Sequence, residues 1–232
     1  MNYVITPASQ PGVAVAGSHD KFPVHRIYCV GRNYAAHARE MGIDPSNSAP
    51  IFFSKPADAI VPATSAKPVN VPYPSQSHDF QHEIELVVAI GRGGRDIPCS
   101  AALDYVWGYT VGLDMTRRDL QTEARKRGEP WDTAKAFDHS APIGLLHPAS
   151  RIGHPVSGAI WLDVNGERRQ EADLEQLIWS VPDIIHHLSR YFELAPGDLV
   201  YTGTPSGVGP VKRGDHLSGG IDELGEINVK II

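Results

Sequence analysis

Cysteine is nearly absent from this chain: Cys29 and Cys99 are the two in 232 residues. They lie far apart and match no metal-ligand spacing, so neither a zinc knuckle nor a disulfide framework is expected. Long apolar runs are missing too, and no stretch approaches the roughly 20 residues of a membrane span. The N-terminus lacks the basic-then-apolar pattern of a secretory leader, so the expectation is a cytoplasmic protein that engages no membrane. Positive charge is in deficit: 21 Lys and Arg against 27 Asp and Glu give a formal net charge of −6. That balance argues against a general nucleic-acid surface. Three catalytic signatures are also lacking: the His-Glu-x-x-His of zinc proteases, the Gly-x-Ser-x-Gly nucleophile elbow, and a glycine-rich turn ending in Gly-Lys-Ser/Thr. There is no internal repeat and no low-complexity tract.

The length and a hydrophobic fraction of 41% fit one domain with a sizeable core. The compact body is expected over residues 26–232, with 1–25 as an N-terminal extension in which Val13-Ala14-Val15 reads as a short strand. Ile27-Tyr28-Cys29-Val30 has a buried-strand pattern. Asn33 is placed to cap a helix running through Ala35-Ala36-His37-Ala38-Arg39-Glu40 to a stop at Gly42. Ile51 to Lys55 reads as a strand ended by Pro56, and Asp58 to Gln81, studded with prolines, as a long surface excursion. Residues 117–128 are polar and helix-prone, with a basic run at Arg125-Lys126-Arg127. Asn165-Gly166 predicts a type I′ hairpin after the strand Gly158 to Val164. Ser180-Val181-Pro182-Asp183 carries a capping-box pattern, followed by Ile184, Ile185, Leu188, Tyr191 and Phe192 at helical spacing. The whole is strand-rich with few helices and no βαβ alternation. The fold class is therefore α+β with a mixed, rolled β-sheet core.

The most informative stretch is His82-Glu83-Ile84-Glu85-Leu86-Val87-Val88-Ala89-Ile90. Side chains alternate along a strand, so Glu83 and Glu85 project from one face. Two adjacent carboxylates repel, and a divalent cation between them removes the repulsion. A second apolar run, Tyr105 to Leu113, delivers Asp114 at its end. Three carboxylates on neighbouring strand ends would fill half an octahedron, a hard-cation site of the magnesium or manganese type, in which calcium could substitute. Ordinary strand-edge acids on a solvated face are the other reading of the same pattern. His37 and Glu40 share a helix face, either as a general-base dyad or as a surface ion pair. Arg32, Lys55, Arg118 and Lys135 sit beside these segments, as a cationic lining for an anionic substrate or as solvated charges. The turn Thr202 to Pro210 could cradle a carboxylate with its amides and hydroxyls, or could be a ligand-free tight turn.

In order along the chain, several motifs resemble the fumarylacetoacetate hydrolase family. They are Gly31-Arg32-Asn33-Tyr34-Ala35-Ala36-His37, Phe53-Ser54-Lys55-Pro56, His82-Glu83-Ile84-Glu85-Leu86, Gly112-Leu113-Asp114-Met115-Thr116, Lys135-Ala136-Phe137-Asp138 and Thr202-Gly203-Thr204-Pro205-Ser206-Gly207-Val208-Gly209. The likeness runs from Gly31 nearly to the C-terminus and is greatest to the short, single-domain acylpyruvases. It implies a mixed β-sandwich roll, usually homodimeric, with Glu83, Glu85 and Asp114 as metal ligands for Mg2+ or Mn2+. It also implies a His37–Glu40 dyad on a lid helix, with Lys135, Gln121, Arg118 and Thr204 in the pocket. The implied reaction is hydrolysis of the C–C bond of a small anionic 2,4-dioxo acid. The resemblance favours fumarylpyruvate, cleaved to fumarate and pyruvate in gentisate-type aromatic degradation, with Arg32 or Arg118 meeting the distal carboxylate. Oxaloacetate decarboxylation or tautomerisation and hydroxymuconate isomerisation or decarboxylation run on the same scaffold. A metal-binding structural protein is the non-enzymatic alternative.

Overall fold

The strand Ile84–Ile90 is buried at every position, which requires cover on both faces. Its period-two alternation divides that cover. Ile84, Leu86, Val88 and Ile90 enter the larger of two apolar clusters, with Phe80, Tyr109, Ile160 and Leu188. Val87 and Ala89 enter the smaller one, with Cys29, Ile143, Leu199 and Tyr201. The computed structural model describes residues 2–40 and 49–232, without the side chains of residues 38–40.

Ile84–Ile90 is the centre of a mixed sheet whose order is Ile51–Lys55, Ile27–Gly31, Leu199–Tyr201, Ile84–Ile90, Val106–Leu113, Ala141–Ile143 and Ile60–Pro62; a short strand, His147–Pro148, also pairs with Val106–Leu113. A five-stranded sheet, Glu167–Asp173, Ala159–Val164, His216–Ile221, Gly225–Ile231 and Val69–Val71, supplies Ile160, Leu162, Leu217 and Ile227 to the larger cluster. A three-stranded ribbon joins Phe80–His82 to Thr116–Arg117 and Gly209–Pro210. Mixed curled sheets with few helices are the α+β roll expected from the sequence.

The smaller cluster is closed by the N-terminal segment. Gly12–Ala14 pairs antiparallel with Lys21–Pro23, and Val13, Val15, Phe22 and Val24 are buried in the cluster. The Phe22 ring packs on Trp107 at 5.1 Å between centroids. Residues 12–24 thus cover the sheet face toward which Glu85 projects.

Local sequence signals account for several elements. Asn165 and Gly166 both take positive φ, 54° and 82°, and they join Ala159–Val164 to Glu167–Asp173 in a hairpin. Ser180 and Asp183 form a reciprocal capping box at the start of the helix Val181–Tyr191. The helix Arg118–Arg127 ends on Gly128 in the left-handed region, φ 69°.

Three expectations are corrected. The excursion from Asp58 to Gln81 contains Ile60–Pro62, Val69–Val71 and the start of Phe80–His82, each paired in a different sheet. Pro62, Pro68 and Pro72 sit at or beside strand ends, where a missing N–H costs no ladder bond. Asn33 does not cap the helix Ala35–Glu40. Its buried amide donates to the carbonyls of Trp179 and Thr202 and accepts from the Trp179 N–H. Tyr191 and Phe192 are 68% and 40% exposed, because the helix ends at Tyr191 and its apolar stripe stops at Leu188. The expected stop at Gly42 lies outside the described residues. Among the described residues no helix is long and apolar enough to cross a membrane.

Candidate metal centre and pocket

The start of Ile84–Ile90 lies beside the end of Val106–Leu113, because the two strands are antiparallel with Ile84 opposite Leu113. Glu83 and Asp114 are thereby brought together: the Asp114 N–H donates to the Glu83 carbonyl at 2.8 Å. Glu85 stands two residues on, on the same strand face as Glu83. One oxygen from each of the three buried carboxylates lies within 4.8 Å of the others.

Cations crowd this acid group. Lys135 Nζ donates to Glu83 Oε2 at 2.8 Å and to Asp114 Oδ2 at 2.7 Å. Lys55 Nζ lies 2.8 Å from Asp114 Oδ1 and donates to the carbonyls of Met115 and Lys135. The Lys55 contact is a close ion pair without hydrogen-bond alignment, so among the described residues Asp114 Oδ1 accepts no directed bond. Arg118 binds Glu83 Oε1 through Nη2, Gln81 through Nε and Gln121 Oε1 through Nη1.

Glu85 differs from its neighbours. Its one hydrogen bond among the described residues comes from the Gly203 N–H, at 2.7 Å. Gly203 has φ +101°, and a Cβ there would lie 2.6 Å from Asn33 Cβ. Glycine is required for this amide to reach the carboxylate. In the glycine-rich turn the Gly203 amide thus goes to a carboxylate of the protein itself.

Electrostatics separate the two glutamates. Burial, reinforced by the Asp114 and Glu83 charges, pushes Glu85 well above the usual carboxylate range. Burial would push Glu83 up as well, but Lys135 and Arg118 outweigh it and hold it well below that range. Burial opposes charge on Lys135, yet Asp114 and Glu83 raise its pKa, so it stays an ammonium. A divalent cation fits this donor set. All three donors are hard oxygens, and among the described residues one oxygen of Asp114 has no directed partner and Glu85 makes no direct ion pair.

Gln170 lies under the site and was not singled out from the sequence. It belongs to the exposed-looking strand Glu167–Asp173 but is fully buried. Its Oε1 accepts from the Ile84 N–H at 3.1 Å and meets His82 Nδ1 at 2.9 Å. That acceptor assigns the proton to His82 Nδ1. Burial lowers the His82 pKa and keeps the ring neutral. Gln170 Nε2 donates to Thr204 Oγ1 at 2.8 Å. Thr204 Oγ1 accepts that bond and retains its own hydrogen to donate into the pocket.

Glu83 and Glu85 open into a pocket that is partly open to solvent. His37, Arg118, Gln121, Lys135 and Thr204 line it, so the structure gathers most of the residues expected from the sequence in one place. Arg32 also lines it, in a left-handed backbone conformation, φ 66°. The side chain of Glu40 lies outside the described residues, so the His37–Glu40 pairing is not described. Arg125, which the sequence offered only as part of a basic run, lines the pocket as well. Phe53 and Trp131, with ring centroids 5.7 Å apart, form an aromatic wall.

This curled mixed sheet, with buried acids at two adjoining strand ends, is the architecture of the fumarylacetoacetate hydrolase family. The sequence model of the fumarylacetoacetate (FAA) hydrolase C-terminal region matches residues 26–232, and the chain belongs to that family. It is similar over its whole length to a crystal structure of fumarylpyruvate hydrolase from Pseudomonas aeruginosa in complex with Mn2+ and pyruvate, with 57% identity, a TM-score of 0.98, and 100% and 99% of the two chains covered. It is 43% identical over 205 residues to the mitochondrial oxaloacetate tautomerase FAHD1 of Homo sapiens, covering 88% of this chain and 90% of that one. It is also similar to the 5-carboxymethyl-2-hydroxymuconate delta-isomerase of Mycobacterium smegmatis, at 32% identity and a TM-score of 0.78 over 91% of this chain and 80% of that chain.

Proposed function

We propose that this protein is a divalent-cation-dependent hydrolase of 2,4-dioxo acids that cleaves fumarylpyruvate to fumarate and pyruvate. The observation that carries the reading is the full-length likeness to a fumarylpyruvate hydrolase solved with Mn2+ and pyruvate, joined to a buried acid triad in this chain. Glu83, Glu85 and Asp114 would hold the cation, Mg2+ or Mn2+, which when bound supplies Lewis-acid stabilisation of a developing enolate.

The chain's own residues account for the rest. Thr204 donates its free hydroxyl hydrogen to the pyruvoyl carboxylate, and Gln121, whose Oε1 is taken by Arg118, offers its amide N–H groups to the same end. Arg118 is committed to Glu83 and serves this proximal end. His37 takes a proton from water, which adds to the 4-carbonyl carbon. The C3–C4 bond then breaks, its electron pair passes to C3, and a proton returned to C3 yields pyruvate. The Lys135 ammonium offsets the negative charge that develops in between. The expected homodimer and cytoplasmic location belong to this same reading.

The named human relative favours one other reading, oxaloacetate tautomerisation, which passes through the same type of enolate. A substrate panel with Mn2+ separates the two. Loss of the dioxo absorbance of fumarylpyruvate with stoichiometric pyruvate supports the hydrolase. Enol–keto conversion of oxaloacetate without dioxo-acid cleavage replaces it with the tautomerase. Cation binding without turnover of any substrate would leave a metal-binding protein.

A further inference from the structure

The helix Arg118–Arg127 presents Arg118, Gln121 and Arg125 to the pocket. These positions are i, i+3 and i+7, one stripe of a helix. The stripe is graded: Arg118 and Gln121 are buried and bonded at the acid triad, whereas Arg125 is half-buried. The next two basic residues behave otherwise. Lys126 pairs with Glu123 at 2.8 Å, and Arg127 pairs with Glu123 and Glu129 at 3.7 and 3.8 Å. Among the described residues, Arg125 has no carboxylate partner and neither does Arg32.

Arg32 and Arg125 line the same pocket. Burial first, and then the Arg125 charge, lowers the Arg32 pKa. Arg32 also sits at φ 66°, a left-handed conformation uncommon for a non-glycine residue. Two like charges in one pocket, neither paired with a carboxylate among the described residues, suit an anionic group.

We propose that Arg32 and Arg125 together bind the distal carboxylate of the substrate, the end remote from the acid triad. The inference rests on the hydrolase reading above and specifies its substrate class, a dicarboxylic oxo acid of fumarylpyruvate length. Seven residues of helix separate the Cα atoms of Arg118 and Arg125 by about 10.5 Å. The six C–C bonds between the two carboxylate carbons of fumarylpyruvate span roughly 7–8 Å, at about 1.5 Å per bond. A guanidinium at either end suits that chain. Oxaloacetate, with three such bonds, reaches about half as far.

The test compares fumarylpyruvate with acetylpyruvate, which has no distal charge, on the Mn2+-loaded protein. In Arg32→Gln and Arg125→Gln the ratio of kcat/KM for fumarylpyruvate to that for acetylpyruvate should fall about 10- to 100-fold, the worth of a charge-assisted hydrogen bond. Arg125→Lys should restore most of the ratio, and Arg127→Gln should leave it within about twofold, as expected for an exposed ion pair. An unchanged ratio in both glutamine variants overturns the subsite. If the parent protein hydrolyses neither substrate, the hydrolase reading fails by itself. The subsite is then judged by calorimetry with 2-oxoheptanedioate and 2-oxoheptanoate, which differ only in the distal carboxylate. Preference for the diacid, lost in both glutamine variants, supports the subsite; equal affinity overturns it.

Discussion

Replacing Lys135 by Met tests the charge balance of the acid triad without reference to any substrate. Methionine keeps the unbranched stem and removes the ammonium that bridges Glu83 and Asp114 at 2.8 and 2.7 Å. Removing one partner of a buried ion pair typically costs about 3–5 kcal/mol, because it leaves charge buried without compensation. Lys55 still faces Asp114 and Arg118 still holds Glu83, so the lower end applies. For a chain of this length about 3 kcal/mol corresponds to a fall in Tm of roughly 6–12 °C. The measurement is urea denaturation at neutral pH, in EDTA and again in saturating Mn2+. A dication bound among the same carboxylates replaces the lost charge, so the deficit should shrink to about 1 kcal/mol or less. Lys126→Met, which breaks an exposed pair with Glu123, should cost less than about 1 kcal/mol under both conditions. The reasoning is refuted if Lys135→Met is as stable as the parent in EDTA, or if Mn2+ leaves the deficit unchanged.

His37→Ala should lower fumarylpyruvate hydrolysis on the order of 10²- to 10⁴-fold, the usual worth of a general base, while the Kd for Mn2+ stays close to the parent value; hydrolysis at the parent rate would place the base elsewhere. Phe22→Ala should lower the unfolding free energy by about 3–4 kcal/mol in urea titration, since Phe22 closes the cluster beneath the main sheet; a loss under about 1 kcal/mol would show the N-terminal hairpin to be dispensable cover. Asp119 has its pKa lowered because bonds from the His78 N–H, the Ser77 hydroxyl and the Leu120 N–H outweigh burial. A depressed carboxylate contributes stability in full above the ordinary aspartate value near 3.9 and loses it as pH falls through the lowered folded value. Asp119→Asn should therefore flatten the acid side of a Tm-against-pH profile, and an identical acid limb would refute that role.

What could be read from the chain by itself was local. Glu83 and Glu85 share a face because a strand has period two, and the hairpin at Asn165-Gly166 and the capping box at Ser180 follow from short-range backbone chemistry. The ordered motifs added the family, and with it the expectation of a divalent metal and of a set of pocket residues. Contacts between residues distant in sequence were not legible there. Asn33 has the composition of a helix cap, but tertiary packing turns its amide to Trp179 and Thr202, more than a hundred residues on. Gln170 looks like one more polar residue of an exposed strand until the second sheet closes over the first and buries it against Ile84 and Thr204. Arg125 resembles Lys126 and Arg127 in sequence; only the orientation of its helix leaves it facing the pocket with no carboxylate partner among the described residues. The convergence of the acids into one buried cluster, rather than a solvated pair, was likewise tertiary. It required Asp114, Lys135, Lys55 and the Gly203 amide to converge from separate strands and loops. Local propensity acts through the nearest few residues, whereas burial and charge compensation depend on which distant segments the packed core forces together.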